Sequence, residues 1–323
     1  MTYRTLTRRA LLGALAAAGA APQAWAQPSD YPSRPIKLVI GYAAGGASDV
    51  PFRALCEAAS KILGQTIVGE NRTGAGGTLA AQALFHARPD GYTLAQLSAP
   101  VFRMPHVVST DWHPVRDFDY VMNAIAYSGS ALVVRADSPF KTIDDYLAHA
   151  RANPGAINYA TPGRLTALHL MMENIARVNN VKLTHVPYKG DAESLPALLG
   201  GHVMSAAATP QWKPHVEAGK LRLLLSLDEV RNPRHPGVKS VAEVGVTKPE
   251  QSRLGIAVRK GTDPAIVKKL HDAFRQAMDS PDFKAALVKF DMVPSYLNTA
   301  EYTQYAAEKF AREKIVVETL GKE

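Results

Sequence analysis

The 323-residue chain holds one cysteine, Cys56. A single thiol excludes an intrachain disulfide and any metal site built from several cysteines. Catalytic signatures are missing too. No Gly-Lys-Ser/Thr follows a glycine-rich loop, no G-x-G-x-x-G spacing occurs, and no serine sits in a G-x-S-x-G elbow. The histidines show no H-E-x-x-H or comparable ligand spacing, so no metal site is expected. Asp144 and Asp145 are adjacent, diverge at a helix start and suit capping better than acid–base work. Beyond the N-terminal segment, no apolar run approaches the roughly 20 residues that span a bilayer. Basic charge is only in mild excess, at +8 for the chain, and Lys and Arg are scattered. A nucleic-acid partner would need a basic stripe and a recognisable module, and neither is present.

What is present begins with an address. Arg4, Arg8 and Arg9 form a positive segment, Leu11 to Ala21 a short apolar run, and Ala24-Trp25-Ala26 a small-x-small cleavage pattern. Residues 1–26 are expected to be an export signal, cut before Gln27. Thr7-Arg8-Arg9-Ala10-Leu11-Leu12 leaves both the twin-arginine and the ordinary secretory route open. The mature part is long enough for two domains.

That mature part alternates short apolar strands with amphipathic helices, the pattern of a parallel α/β architecture. Strands are expected at Ile36–Gly41, Thr66–Gly69, Tyr92–Ser98, Ala131–Arg135, Ile157–Ala160, Leu183–Pro187, Leu221–Leu227 and Leu254–Val258. A first helix should start at Ser48 or Asp49 and end at Gly64, with Phe52, Leu55, Cys56, Ala59, Ile62 and Leu63 on one face. Further helices are expected from Gly74 to about His86, from Thr142 to before Asn153, over Leu165–Val178 and Glu193–Leu199, and over two C-terminal stretches from Asp263 and Thr299. Asp228 to Pro236 reads as an exposed loop.

Three strand-to-helix loops carry the chemistry. Tyr42, Ala44, Gly45, Gly46, Ala47, Ser48 and Asp49 make the first. Its glycines expose backbone N–H groups, and the helix that follows adds orphan donors and a partial positive charge. The loop is either an anion cradle or a plain turn. Ala75, Gly76 and Gly77 offer a second, with Ser98 after the third strand. Thr161, Gly163, Arg164 and Thr166 offer a third, in which Arg164 either grips a carboxylate bidentately or lies on the surface. His169 falls on the apolar side of its helix, as a structural or ligand-contacting residue. Such loops lie at the carboxyl ends of strands, where open α/β sheets bind ligands.

The sequence resembles the Bug, or TctC-type, receptors of tripartite tricarboxylate transport systems over almost the whole mature chain. The resemblance rests on Tyr31-Pro32-Ser33-Arg34-Pro35-Ile36, Gly45-Gly46-Ala47-Ser48-Asp49, Gly64-Gln65, Glu70-Asn71-Arg72-x-Gly74-Ala75-Gly76-Gly77 and Pro89-Asp90-Gly91-Tyr92-Thr93-Leu94. It continues through Asn153-Pro154-Gly155, His185-Val186-Pro187-Tyr188-Lys189-Gly190, Leu199-Gly200-Gly201 and Ala218-Gly219-Lys220-Leu221-Arg222. It implies an α/β fold of the type II periplasmic binding protein, with a ligand cleft between two lobes. Lobe one is expected to take residues 27–126 and 252–323, and lobe two residues 127–251. The resemblance further implies a periplasmic monomer, without cofactor, that binds a small carboxylate and delivers it to membrane permease subunits. A sensor docking on a signalling protein is the alternative, and a periplasmic enzyme a remote third. The implied contacts add Tyr188, Lys189 and Thr209 to the loops above. Three departures stand out. Ala44 replaces the usual proline, the second-lobe loop carries Arg164, and both acids of a V-D-x-x-F-D run are missing from Val203 to Ala208. Fewer acids and an added arginine would suit a more anionic ligand.

Overall fold

The computed structural model describes residues 31–232, 234–246, 253–290 and 292–320; the expected export signal lies outside them. The first run of elements is β1 (Ile36–Ile40), α1 (Val50–Leu63), β2 (Ile67–Asn71), a 3-10 turn at Ala75–Gly77, α2 (Leu79–Phe85), β3 (Thr93–Leu97), α3 (Ala99–Arg103), α4 (Pro114–Asp117) and β4 (Phe118–Tyr127). The second is β5 (Ala131–Arg135), α5 (Ile143–Ala152), β6 (Asn158–Thr161), α6 (Ala167–Val178), β7 (Thr184–Pro187), α7 (Asp191–Leu199), β8 (Ser205–Ala208), α8 (Lys213–Glu217) and β9 (Leu221–Ser226). The third is β10 (Arg253–Arg259), α9 (Pro264–Ala277), α10 (Pro281–Lys289), β11 (Met292–Leu297) and α11 (Thr299–Leu320).

Two sheets result. One has the order β11-β4-β10-β3-β1-β2, the other β7-β6-β8-β5-β9. Neither is purely parallel, which corrects the expectation from alternation. β1 runs parallel to β2 and β3, but β10 pairs antiparallel with both β3 and β4. The reason is topological: the chain leaves the first sheet after β4, builds the second, and re-enters between β3 and β4.

Local chemistry accounts for the first unit. β1 is apolar except at Lys37, which pairs with Glu70 of β2; its other four side chains are buried, as suits a strand covered on both faces. α1 has Pro51 in its first turn and ends at Gly64, which takes a left-handed conformation (φ 70°) and donates its N–H to Ser60. Its Phe52, Leu55, Cys56 and Ala59 pack with Leu38, Ile125, Phe274 and Phe283. Each large side chain so buried contributes roughly 1.5–3 kcal/mol. Val39, Leu97, Phe102, Tyr120 and Tyr302 fill the opposite face of the same sheet. The second sheet is likewise covered on both faces, around Tyr146, Tyr159 and Met172 on one and Leu195, Leu198 and Trp212 on the other.

A buried ionic cluster ties the two units. Arg103 of α3 donates through Nε (2.5 Å) and Nη2 (2.8 Å) to Glu313 of α11. Lys309 reaches the same carboxylate at 2.5 Å. All three side chains are at most 3% exposed. Arg103 Nη1 also donates to the carbonyl of Leu165, which precedes α6 in the other unit.

Candidate functional site

The loop after β1 is built on a buried carboxylate. Asp49 accepts from the Gly45 amide (2.9 Å), from Arg53 Nε (2.9 Å) and from Asn71 Nδ2 (2.8 Å). It stands at the N-cap of α1, yet its side chain serves the loop and not the helix amides. Tyr42 turns inward and donates to the Gly76 carbonyl at 3.0 Å, beside Ser98 Oγ at 3.0 Å. Ser48 Oγ pairs with the Tyr127 hydroxyl, and Gln96 Nε2 holds the Ser48 carbonyl at 2.7 Å. Among the described residues, no hydrogen bond takes the amides of Gly46, Ala47 and Ser48.

A second helix start faces this loop. Thr166 caps α6, accepting from the His169 amide at 3.3 Å and donating to the Gly163 carbonyl at 2.9 Å. That leaves the Ala167 and Leu168 amides as orphan donors of the first turn. The two loops meet with their backbones. A Cβ on Gly76 would lie 2.3 Å from the Arg164 carbonyl oxygen, and one on Gly163 would lie 2.9 Å from Gly76 Cα. The Ala43 amide donates to the Lys189 carbonyl at 3.1 Å, a second backbone join between the units.

Between these loops lies a cavity of about 490 Å³, within the usual range for small-molecule sites. The first sheet's loop lines it with Tyr42, Gly46, Ala47 and Ser48. The connection out of β4 adds Tyr127, Ser128 and Ser130. The second unit supplies Thr166, Ala167, Leu168 and Met171, then Gly190 and Asp191, Thr209 and Gln211, and Leu227 to Val230.

Its electrostatics are one-sided. No Lys, Arg or His lines the wall among the described residues, whereas Asp191, Asp228 and Glu229 do. Asp191 is 4% exposed. It opens α7 and accepts from the Thr209 amide (3.2 Å) and hydroxyl through Oδ2. Burial raises its carboxyl to about 6 against the pull of those donors. Asp228 accepts from the Gly129 amide at 2.7 Å, and burial raises its carboxyl as well. The charge inference drawn from the missing acids is therefore corrected: other acids occupy the wall, and Arg164 does not.

Arg164 and His169 line a second cavity of about 380 Å³, with Glu173, Arg177, Lys182, Val107 and Val317. Arg164 is exposed between Gly163 (φ 154°) and Leu165 (φ 58°), both at positive φ, and α6 starts two residues later than expected. His169 Nδ1 accepts from the Leu165 amide at 3.1 Å, and its ring stacks on His185 at 3.9 Å. Burial, the neighbouring His185 and then Arg164 lower His169 to about 3. Burial and then Arg164 lower His185 to about 4.

Of the site residues read from sequence, Tyr42, Gly46, Ala47, Ser48, Thr166 and Thr209 line the cleft. Gly76 and Ser98 lie behind Tyr42, as does Gly77, whose added Cβ would meet the Tyr42 ring at 2.8 Å. Thr161 is buried below the third loop, bonded to the Gly163 carbonyl and to His185. Ala44, Gly45, Ala75 and Lys189 are exposed, and Tyr188 packs on the second sheet. Sequence reasoning missed Tyr127, Ser128, Ser130, Asp191, Gln211 and Asp228. Asp191 carried a signal, as an acid directly after the Tyr188-Lys189-Gly190 turn at a helix start.

The profile described as the tripartite tricarboxylate transporter family receptor, TctC, matches residues 51–322. A relative from Cupriavidus necator, the UPF0065 protein in gbd 5'region, is 51% identical over 317 residues, covering 98% of this chain and 97% of the relative. The periplasmic binding protein BugD superposes with a TM-score of 0.83 at 25% identity, over 91% of this chain and 99% of its own. Rpa4515 of R. palustris, solved with adipate, gives 0.81 at 28% identity, over 90% and 99%. With a match of that extent, on the two-sheet fold of periplasmic binding proteins, the chain belongs to the TctC receptor family.

Proposed function

We propose that this receptor holds a small carboxylate in the cleft and delivers it to a tripartite tricarboxylate-type permease, without chemical turnover. The observation that carries the reading is the pair of helix starts on one cavity. Gly46–Ser48 before α1 and Ala167–Leu168 in α6 offer amides to the same space. Converging N–H donors at the positive ends of helix dipoles favour an oxyanion without any side-chain cation. Adipate in Rpa4515 is a ligand of that kind. Residues 27–126 and 252–323 would form one lobe and 127–251 the other, a division supported by the strand membership of the two sheets. Residues 1–26 would direct export.

A thermal-shift screen against mono-, di- and tricarboxylates tests the reading. Saturation at about 100 times the Kd should add about 2.7 kcal/mol of stability. A screen in which no carboxylate raises the Tm would overturn it. Arg164→Ala should leave carboxylate affinity within about twofold of the parent. The same substitution should raise the pKa of His169 and His185, read by NMR titration, because it removes a neighbouring cation from both. A tenfold loss of affinity would return Arg164 to the ligand site.

A further inference from the structure

We infer that the solute is an amino-carboxylate, whose anionic end meets the helix starts and whose ammonium faces Asp191. This rests on the carboxylate reading above and extends it to the other end of the ligand. Two opposed chemistries share the cavity. The amides of Gly46–Ser48 and Ala167–Leu168 offer donors to an anion. Asp191 at the start of α7, with Asp228 and Glu229 after β9, offers carboxylates on the same wall, and no cation on it neutralises them among the described residues.

Asp191 is the decisive group. Its Oδ2 is engaged by Thr209 and, at 3.5 Å, by Gln211 Nε2, but among the described residues Oδ1 receives only the Ser194 hydroxyl, at a long 3.4 Å. A buried carboxylate with a loosely used oxygen is a strong acceptor for a charged donor. A plain dicarboxylate would instead bring a second negative charge into a wall that already carries three acidic side chains. Asp228 stands on a different element and spends one oxygen on the Gly129 amide. The negative wall is therefore not a by-product of capping α7.

The test uses pairs of equal chain length, measured by calorimetry on the full receptor: glutarate against 4-aminobutyrate, and adipate against 5-aminopentanoate. The amino member should bind at least tenfold tighter in one pair or both. Asp191→Asn should erase that preference, and Asp228→Asn should reduce it in the same direction while leaving the Thr209 contacts intact. Equal or tighter binding of the dicarboxylates by the parent protein would overturn the inference and leave the carboxylate reading standing. So would an unchanged preference in both variants. Failure of every member of both pairs, alongside a silent carboxylate screen, would remove both.

Discussion

Gly46→Val should cost at least a hundredfold in carboxylate affinity, about 2.7 kcal/mol, with the circular dichroism spectrum and Tm nearly unchanged. Gly46 is buried at the edge of the cleft between the Ala43 carbonyl and Gln211 of the opposite unit. A Cβ there would sit 3.3 Å from the Ala43 oxygen and 3.8 Å from Gln211 Nε2. That first carbon asks the Ala43 carbonyl to give by a few tenths of an ångström; the two methyls of valine must project beyond it, into the space an anion needs to reach the Gly46–Ser48 amides. The cost falls on binding and not on folding, because Gly46 does not use the left-handed backbone region that its neighbour Gly45 occupies (φ 79°). Gly46→Ala should lie in between. Isothermal titration with the best ligand of the carboxylate screen measures the effect. Parent-like affinity in the valine variant would take this loop out of the site.

Glu313→Gln should lower unfolding free energy by about 3–5 kcal/mol, the largest stability loss expected of a single isosteric change here. Glu313 is the shared acid of Arg103 and Lys309, and all three are buried. Removing its charge takes the shared anion from two desolvated cations at once. Against the roughly 5–15 kcal/mol that holds a domain folded, such a loss is severe. Replacing all three by apolar residues of similar volume should recover most of it, since the desolvation cost vanishes with the charges. Recovery should be incomplete, because the Leu165 carbonyl loses its donor. Urea denaturation of the two variants measures both effects. A loss under about 1 kcal/mol for Glu313→Gln would show that the cluster contributes little.

The sequence was most legible where one force dominates. β1 is apolar but for Lys37, and α1 combines a first-turn proline, an apolar face and a terminal glycine, so both stand close to expectation. β8 was missed because Ser205–Ala208 carries small side chains that lack strand propensity; its place is set by packing on both faces. β11 was missed because Pro294 interrupts it, a residue tolerated since this strand lies at the sheet edge. The site divides in the same way. The glycine loop before α1 was readable because local backbone chemistry makes an anion cradle. Arg164, open between a carboxylate contact and the surface, is exposed, beside a left-handed residue, Leu165, that no pattern announces. Tyr127, Ser128 and Ser130 join the wall only because the chain crosses between sheets there, which is a fact of topology.

The lone cysteine has a consequence for chemistry in an oxidising compartment. Cys56 is 2% exposed, and burial raises its thiol to about 12. At neutral pH the buried thiol is held in its protonated form, away from the reactive thiolate. Oxidants and electrophiles therefore find no reactive thiolate at Cys56 on the folded receptor. Covalent dimers of this chain can arise only from molecules whose first unit has come apart, so their number would keep a record of past unfolding that refolding cannot erase.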